Sequence, residues 1–348
     1  NMEKSENLEE VNILSIPRTE EEQIVLGKFK EEIQSANLQY NSEIVDDNYL
    51  VRFLRARQGD IKKAMEMFKK YVGWRLDKDM DNIQKYQFPE EHDVLNYYPR
   101  GFHKTDKLGR PIHYELLGSL DMNQLLKITS MDRMLRYNLK KVDYILNVMF
   151  PLCSKAAGRN INQFVNIIDI KGFAFKNMTK KAYEFVKLDS AAMQDNFPEI
   201  LGTLYVLNTG VLFKAVWAIV KTFLDEKTKK KIVFPGSKYL EELKTQIDED
   251  SIPSFFQGNC KCKPNGCLFS NAGPWNSNII ENNSQENQNQ VNQDQNVIQL
   301  DNNSRNTFQE GQGKFPLEKL PTDEGVEEET EEPKVEGELV GNNPNNNN

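Results

Sequence analysis

The chain has 348 residues, of which 38% are hydrophobic and 10% aromatic, and its formal net charge is −8. This length suits one large domain or two smaller ones. The acidic balance argues against a nucleic-acid-binding protein, because phosphate neutralisation needs an excess of basic residues. The charge is nevertheless uneven, since residues 281–348 have 4 basic and 15 acidic residues, a net −11, whereas residues 1–280 have a net +3.

The last 68 residues, 281–348, are rich in Asn and Gln and contain only two aromatic residues, Phe308 and Phe315. Such a segment cannot bury enough apolar surface to fold, so we expect a disordered acidic tail. The N-terminus lacks the apolar core of a signal peptide, and no run of about 18 apolar residues occurs in the chain. We therefore expect a soluble cytoplasmic protein.

Three of the four cysteines form a C-x-C-x₄-C pattern at Cys260, Cys262 and Cys267, and Cys153 is isolated. A structural zinc site needs four ligands, and the pattern supplies three. We expect packed thiols in a C-terminal loop and no metal site. A Cys260–Cys267 disulfide is an alternative that a reducing cytosol disfavours.

The N-terminal part of the chain has helical patterns. Apolar residues recur with helical spacing in residues 19–36, after Asp46-Asp47, and again after Gly59-Asp60. Aspartate favours the first position of a helix because its carboxylate accepts hydrogen bonds from free backbone N–H groups. The sequence therefore predicts an all-helical lobe over residues 1–90, whose basic face is most simply a solvated surface.

From Arg110 the pattern becomes mixed. Ile112, Tyr114 and Leu116 alternate with polar residues as in a half-buried strand. Further strands are predicted at 165–170, 203–207 and 232–234, separated by helical stretches that include 130–148. Strands separated by helices predict an α/β fold with a mostly parallel sheet. A doubly wound nucleotide-binding fold is the alternative, but no glycine-rich phosphate-binding motif follows any strand.

The segment from Gly210 to Lys231 contains an unusually apolar helix pattern that ends in the basic run Lys227, Lys229, Lys230 and Lys231. The pattern is too short to span a bilayer. Such a helix is either buried in the core or faces lipid, and the lysines suit an anionic membrane surface. The residues alone favour a core helix.

Six phrases resemble one family when they are read in order. They are Leu50-Val51-Arg52-Phe53-Leu54-Arg55-Ala56-Arg57, Trp74-Arg75, His103-Lys104-Thr105-Asp106-Lys107-Leu108-Gly109-Arg110-Pro111, Asp169-Ile170-Lys171-Gly172, Phe197-Pro198-Glu199 and Phe223-Leu224-Asp225. Together with Gly273-Pro274-Trp275 they resemble the CRAL-TRIO lipid-transfer family, in its phosphatidylinositol-transfer branch. The resemblance extends from about Asp46 to Trp275.

This resemblance implies a CRAL-TRIO lipid-binding domain over residues 91–280, behind the helical lobe of residues 1–90. A mostly parallel sheet would form the floor of an apolar pocket, and a mobile helix at 211–224 would gate it. The resemblance thus replaces the core-helix interpretation with a gate helix. Its predicted gate residues are Val211, Phe213, Val216, Trp217, Val220 and Phe223.

The resemblance also implies a phosphatidylinositol headgroup site at Arg57, Glu199, Thr228 and Lys231. Cations suit the phosphodiester, and carboxylate or hydroxyl groups suit the inositol. Taken singly, each residue has a simpler explanation as an ion-pair, helix-start or surface residue, and the four together favour the site. Ile200 stands where related phosphatidylinositol binders often have arginine, which would weaken an auxiliary contact.

A second-lipid pocket is implied at Phe102, His113, Phe164 and Asn166. Family members that exchange phosphatidylcholine have two tyrosines, a serine and a threonine around the choline. Here, Phe102 and Phe164 could face a quaternary ammonium, and His113 and Asn166 could donate to its phosphate. The second lipid could therefore be phosphatidylcholine, another lipid or a sterol-like molecule. Residues that simply fill the pocket are an equal alternative for Phe164.

The predicted function is a non-enzymatic, phosphatidylinositol-binding lipid-transfer protein. The alternative is a membrane-recruited adaptor that senses phosphoinositides and regulates lipid signalling. Catalysis is not expected, because no nucleophile elbow or metal-ligand motif accompanies the few acid–base residues. We expect a monomer with a bound phospholipid and no cofactor, transient contact with Golgi, other endomembranes or the plasma membrane, a lipid kinase as candidate partner, and no nucleic acid.

Overall fold

The computed structural model describes residues 13–174, 177, 179–210, 213–263 and 266–276. The predicted tail at 281–348 lies outside them. The helices are α1 (Glu20–Ser35), α2 (Asp47–Ala56), α3 (Ile61–Asp77), α4 (Glu91–Tyr97), α5 (Met122–Ile128), α6 (Met131–Tyr144), α7 (Phe150–Ala157), α8 (Lys180–Asn196), α9 (Phe213–Val220), α10 (Glu226–Lys229), α11 (Tyr239–Gln246) and α12 (Cys267–Ser270). The strands are β1 (Arg100–Thr105), β2 (Pro111–Leu116), β3 (Phe164–Asp169), β4 (Leu201–Leu207) and β5 (Ile232–Val233).

The first three helices begin where the sequence predicts. Thr19, Asp46 and Asp60 each accept a hydrogen bond from a backbone N–H in the first turn of α1, α2 and α3, respectively. These contacts satisfy donors that have no partner within the helix. The helices pack through a cluster of buried side chains that includes Leu26, Phe29, Leu50, Phe53, Phe68 and Tyr71. The predicted helical N-terminal region is confirmed, and its boundary at residue 90 stays a prediction.

The five strands form one sheet in the order β1-β2-β3-β4-β5. The β1–β2 pair is antiparallel and the three other pairs are parallel, which confirms the predicted mostly parallel α/β architecture. Strand β1 was not predicted, because its sequence RGFHKT shows no regular apolar alternation. The turn after it is fixed by Asp106, whose carboxylate accepts from the backbone N–H of Leu108 and Arg110, and by Gly109 at φ +81°.

The two faces of the sheet have different partners. On one face Ile112, Tyr114, Val165 and Ile167 are buried against α11 and the segment that follows it. On the other face the strand register aligns a single row of side chains across all five strands. The row consists of Phe102, His113, Asn166, Leu204 and Ile232, and every member lines one of two cavities. This second face therefore forms the floor of the cavities.

One long helical prediction is confirmed and another needs correction. The helix predicted at 130–148 is α6, which continues through the π-helical segment Ile145–Met149. The apolar helix predicted over 211–224 ends earlier, at Val220, and its described residues are Phe213–Val220. None of its residues is buried, so the core-helix interpretation is wrong. Of the helices in the described ranges, none combines the length and apolar character that a membrane span needs.

Candidate functional site

A cavity of about 570 Å³ lies between helix α9 and the sheet. Its floor includes Ile168, Leu204 and Val206, and α8 contributes Ala182 and Val186. The predicted gate residues Phe213, Val216, Trp217, Val220 and Phe223 line it, whereas Val211 lies outside the described residues. The apolar side chains of α9 therefore cover an apolar cavity, as the resemblance implies for a gate helix.

Helix α9 is attached by few contacts. Trp217 and Phe213 each place their rings 5.2 Å from the ring of Phe234. Beyond the helix, Phe223 packs edge-on against Tyr183 at 6.0 Å. Ile219 is 43% exposed although it also lines the cavity. Part of the apolar surface of this helix faces the cavity and part faces solvent. The helix therefore gains less free energy from packing than a helix buried in the core does.

A second cavity of about 1000 Å³ lies over the β1 side of the same sheet face. All four predicted second-lipid residues, Phe102, His113, Phe164 and Asn166, line it. The His113 ring is 4.6 Å from the Phe102 ring, and its Nδ1 is 3.1 Å from the Asn166 Oδ1. The structure thus brings the four residues together in one wall, while their role in binding stays a prediction.

A largely buried carboxylate, which the sequence analysis did not single out, organises this wall. Glu115 accepts hydrogen bonds from Tyr98 and from the Asn166 amide, and it lies 3.2 Å from the His113 Nδ1. Burial alone would raise the pKa of Glu115, but the hydrogen bond and charge of His113 and the charge of Arg100 lower it to about 2. The cavity therefore contains a fixed negative charge.

Glu199 lies between two lysines just before β4. Its Oε1 accepts from Lys227 Nζ at 3.0 Å, and its Oε2 lies 3.3 Å from Lys231 Nζ. Lys231 also donates to the backbone oxygen of Leu201 at 2.8 Å. Burial raises the pKa of Glu199, but the charges of Lys231 and Lys227 outweigh it and keep the pKa below its ordinary value. The arrangement holds one anion and two cations in a partly buried position.

The backbone at Glu199 has an uncommon conformation, with φ at +62°. A non-glycine residue is strained there and needs support from its surroundings. Arg52 of α2 gives that support by donating to the Glu199 carbonyl at 3.1 Å and to the Asn162 carbonyl at 3.0 Å. Arg52 is 5% exposed, and burial lowers its pKa to about 10.

The sequence analysis did not single out Arg52 as a residue that supports the backbone at Glu199. The available signal was its position within the apolar run from Leu50 to Leu54. An arginine in such a run is buried with the neighbours and then needs hydrogen-bond acceptors.

Two predicted headgroup residues have other contacts. Arg57 donates to the backbone oxygen of Ala56 at 3.1 Å. The Thr228 hydroxyl donates to Asp225 Oδ2 at 2.8 Å, at the start of α10. The structure thus pairs Glu199 with Lys231 but not with Arg57 or Thr228, and none of the four lines either cavity. The four-residue headgroup site stays a prediction.

Comparisons with known proteins place this geometry in a family. The CRAL/TRIO domain model matches residues 95–258, and the CRAL/TRIO N-terminal domain model matches residues 25–70. The crystal structure of Sfh5 aligns with a TM-score of 0.56 at 18% identity, covering 78% of this chain and 100% of that one. This structural similarity confirms the predicted fold.

Two relatives show how far the sequence similarity extends. The phosphatidylinositol/phosphatidylcholine transfer protein SFH7 of Arabidopsis thaliana is 41% identical over 233 residues, 66% of this chain and 43% of that protein. The Sec14 cytosolic factor of Schizosaccharomyces pombe is 38% identical over 255 residues, 73% of this chain and 87% of that protein. The chain thus spans less than half the length of SFH7 and most of the length of the yeast protein. It belongs to the CRAL/TRIO family.

Proposed function

We propose that this protein binds phosphatidylinositol and phosphatidylcholine and exchanges them between membranes. The observation that carries the proposal is the apolar cavity beneath α9, a helix that has apolar residues on both its cavity side and its exposed side. A helix with this character can cover acyl chains inside the protein and also contact the acyl region of a membrane. The two relatives, a phosphatidylinositol/phosphatidylcholine transfer protein and a Sec14 cytosolic factor, support transfer rather than the adaptor hypothesis.

Burial of the acyl chains would provide the driving force. Each methylene group moved out of water contributes about 0.8 kcal/mol, so ten methylenes contribute about 8 kcal/mol. The membrane also shields the acyl chains from water, so the free energy gained by burying them is similar in the membrane and in the protein. Exchange between the two environments therefore needs no external energy source, and the headgroup contacts decide which lipid is retained.

For phosphatidylinositol, the Glu199 cluster offers both kinds of partner that the headgroup needs. A phosphodiester would compete with Glu199 for the ammonium groups of Lys227 and Lys231, and inositol hydroxyls would donate to the carboxylate. The three charges are already assembled, and Glu199 and Lys231 are partly buried, which lowers the cost of ordering them on binding. Arg57 and Thr228 would join this site only after local rearrangement.

For phosphatidylcholine, the large cavity offers a different set of groups. A quaternary ammonium is attracted by aromatic faces such as those of Phe102 and Phe164, and by a nearby carboxylate such as Glu115. The amide of Asn166 and the ring of His113 could donate to the phosphate. This chemistry favours phosphatidylcholine over a sterol-like molecule, because a sterol has neither a quaternary ammonium for the aromatic faces nor a phosphate for the donors.

The membrane contact would be peripheral and transient. Lys214 and Lys221 of the α9 region are exposed, and Lys227 and Lys230 follow at α10. These cations would be attracted to anionic lipid headgroups while the apolar residues of α9 enter the interface. We propose that the protein acts in the cytoplasm in this way, and presentation of the lipid to a kinase stays a prediction.

A vesicle-to-vesicle transfer assay with labelled phosphatidylinositol and labelled phosphatidylcholine tests the proposal. The wild-type protein should accelerate the transfer of both lipids above a protein-free control. Lys231→Met should reduce phosphatidylinositol transfer about tenfold and leave phosphatidylcholine transfer within twofold, since a charged hydrogen bond contributes about 1.5–3 kcal/mol. Lys230→Met is the matched control, because it removes an exposed lysine of the membrane contact and should affect the transfer of both lipids equally. Absence of transfer for both lipids would disprove the proposed function.

The same assay separates a headgroup role of Glu199 from a general charge effect. Glu199→Gln keeps the size of the side chain and removes its charge, and it should lower phosphatidylinositol transfer selectively. Glu226→Gln removes a carboxylate that pairs with Lys229 in the same region. Equal effects of the two substitutions would show that Glu199 acts only through the surface charge.

A further inference from the structure

Four potential metal ligands from distant parts of the chain meet behind the sheet. His103 lies on β1, Cys260 and Cys262 lie in the loop before α12, and Cys267 is the first residue of α12. One ligand atom from each residue lies within 4.8 Å of all the others. The three cysteines are close together in the sequence. The fourth ligand, His103, lies 157 positions before Cys260.

Two distances within the cluster are close to those of a tetrahedral zinc site. Sulfur atoms at about 2.3 Å from zinc lie about 3.8 Å apart in a tetrahedron, and a sulfur and a nitrogen lie about 3.5 Å apart. In the structure, Cys260 Sγ is 3.7 Å from Cys262 Sγ and 3.3 Å from His103 Nε2. A disulfide would need a sulfur–sulfur distance of about 2.0 Å, and all three cysteines are free.

The hydrogen bonds of His103 leave the correct nitrogen free for a metal. Its Nδ1 is 2.8 Å from the Ser270 hydroxyl oxygen, and that hydroxyl donates its only hydrogen to the Cys267 carbonyl at 2.8 Å. Ser270 must therefore accept from His103 Nδ1–H, which leaves a lone pair on Nε2. Nε2 is the nitrogen that faces the sulfur atoms. A hydrogen bond from the other ring nitrogen is the usual support of a metal-binding histidine.

We propose that His103, Cys260, Cys262 and Cys267 form a structural Zn²⁺ site. Three thiolates and one imidazole are a ligand set typical of structural zinc, and all four positions of the tetrahedron are supplied by the protein. His103, Cys260 and Cys267 are buried, and Cys262 is half-buried. Zinc binding would release the three thiol protons, and the resulting net charge of −1 would be offset by the neighbouring Lys261 and Lys263.

The position of the site indicates what the metal would stabilise. The site joins the segment 260–267 to β1, an edge strand of the sheet. The backbone of Leu268 comes so close to Gly101 that a side chain at position 101 would not fit. Phe102, next to His103, contacts Trp275 at 6.2 Å and lines the large cavity together with Leu268. A zinc ion would thus fix the wall of the cavity in which we place phosphatidylcholine, although the metal site itself does not depend on that function.

The test is the metal content of the full chain, purified under reducing conditions from cells grown with zinc. Mass spectrometry of the metals should find about one zinc ion per chain. Cys262→Ser and His103→Gln should each reduce zinc retention at least tenfold under a competing chelator. Cys153→Ala, which removes the one thiol that lies outside the cluster, should retain it. Cobalt in place of zinc should give the intense visible absorption of a tetrahedral thiolate site.

Two results would overturn the proposal. One is a wild-type protein that takes up less than about 0.1 zinc ion per chain when equimolar zinc is added in reducing buffer. The other is Cys262→Ser protein that binds zinc as tightly as the wild type. Because Cys262 is half-buried, its serine variant should fold, and circular dichroism would verify this. In the wild type, chelation should also lower the melting temperature, while lipid transfer can be measured separately.

Discussion

The two cavities share one face of one sheet but differ in chemistry. The row of side chains across the strands is aromatic or polar at Phe102, His113 and Asn166, and it is apolar at Leu204 and Ile232. The larger cavity contains the ionised Glu115, whereas the smaller one is covered by the apolar side of α9. A change of residue type along one row of paired strands is therefore enough to place a polar and an apolar compartment side by side.

The strongest test of this difference puts a charge into the apolar compartment. Val216 lines the smaller cavity, and Val216→Asp would bury a carboxylate without a partner. A cost of about 4 kcal/mol should lower the equilibrium loading of both lipids about 1000-fold. Native mass spectrometry after prolonged incubation with vesicles measures this loading independently of the exchange rate.

Ala218→Asp is the control for that experiment. Ala218 is on the same helix and exposed, so its carboxylate would remain in water. Loading of this variant should stay within about threefold of wild type. If both variants lose lipid equally, the substitution acts on the helix or on the membrane contact, and the smaller cavity does not hold the acyl chains.

The next largest expected effect is on the free energy of unfolding, and it concerns the charge of Glu115 in the larger cavity. The pKa of Glu115 is about 2 in the folded protein and about 4.5 as an ordinary carboxyl. Its contribution to the free energy of unfolding is therefore present above pH 4.5 and is lost as the pH falls towards 2, a change of about 3 kcal/mol. Melting temperatures of the wild type and Glu115→Gln should differ by several degrees at pH 7 and converge near pH 2. Parallel curves would show that Glu115 is not the group that titrates.

A smaller effect should distinguish the loading of phosphatidylcholine from the loading of phosphatidylinositol. Phe102→Leu removes one aromatic face from the large cavity while keeping an apolar side chain. A cation–π contribution of about 1 kcal/mol predicts a loss of about fivefold in phosphatidylcholine loading. Phosphatidylinositol has no quaternary ammonium, and its loading should change less than twofold. An equal loss for both lipids would mean that Phe102 only shapes the cavity.

The smallest expected effect concerns the attachment of α9. Phe234 contacts both aromatic rings of the helix, Phe213 and Trp217. Phe234→Ala should weaken the covered state by about 0.6 kcal/mol and accelerate lipid exchange about threefold, with little change in equilibrium loading. Stopped-flow transfer measures the rate, and Trp217 fluorescence reports the helix. Slower exchange would indicate that Phe234 guides the lipid and does not retain the helix.

Local chemistry explains which elements the sequence predicts. The caps at Thr19, Asp46 and Asp60 mark the helix starts because each cap interacts within a few residues. The strands β2, β3 and β4 were predicted because one or both of their faces are apolar. Strand β1 was not, because its apolar residues do not alternate regularly: Phe102 lines a cavity, and the polar His103 on the opposite face meets the cysteines.

Long-range contacts explain what the sequence leaves open. The proximity of Glu199 to Lys231 was implied by the family resemblance, and periodicity alone would not give it. Arg52 lies 147 positions from Glu199, and neither a cap nor a repeat connects them.

The buried guanidinium of Arg52 connects the first helices to the backbone of the proposed headgroup site. It supplies donors to two carbonyl groups, at Asn162 and Glu199, that belong to the sheet region. A truncated protein that begins at residue 91 would leave both carbonyls without these donors, and the backbone that presents the Glu199 carboxylate could relax from its positive φ. The minimal unit for studying headgroup selectivity therefore includes α2, even though no residue of that helix lines either cavity.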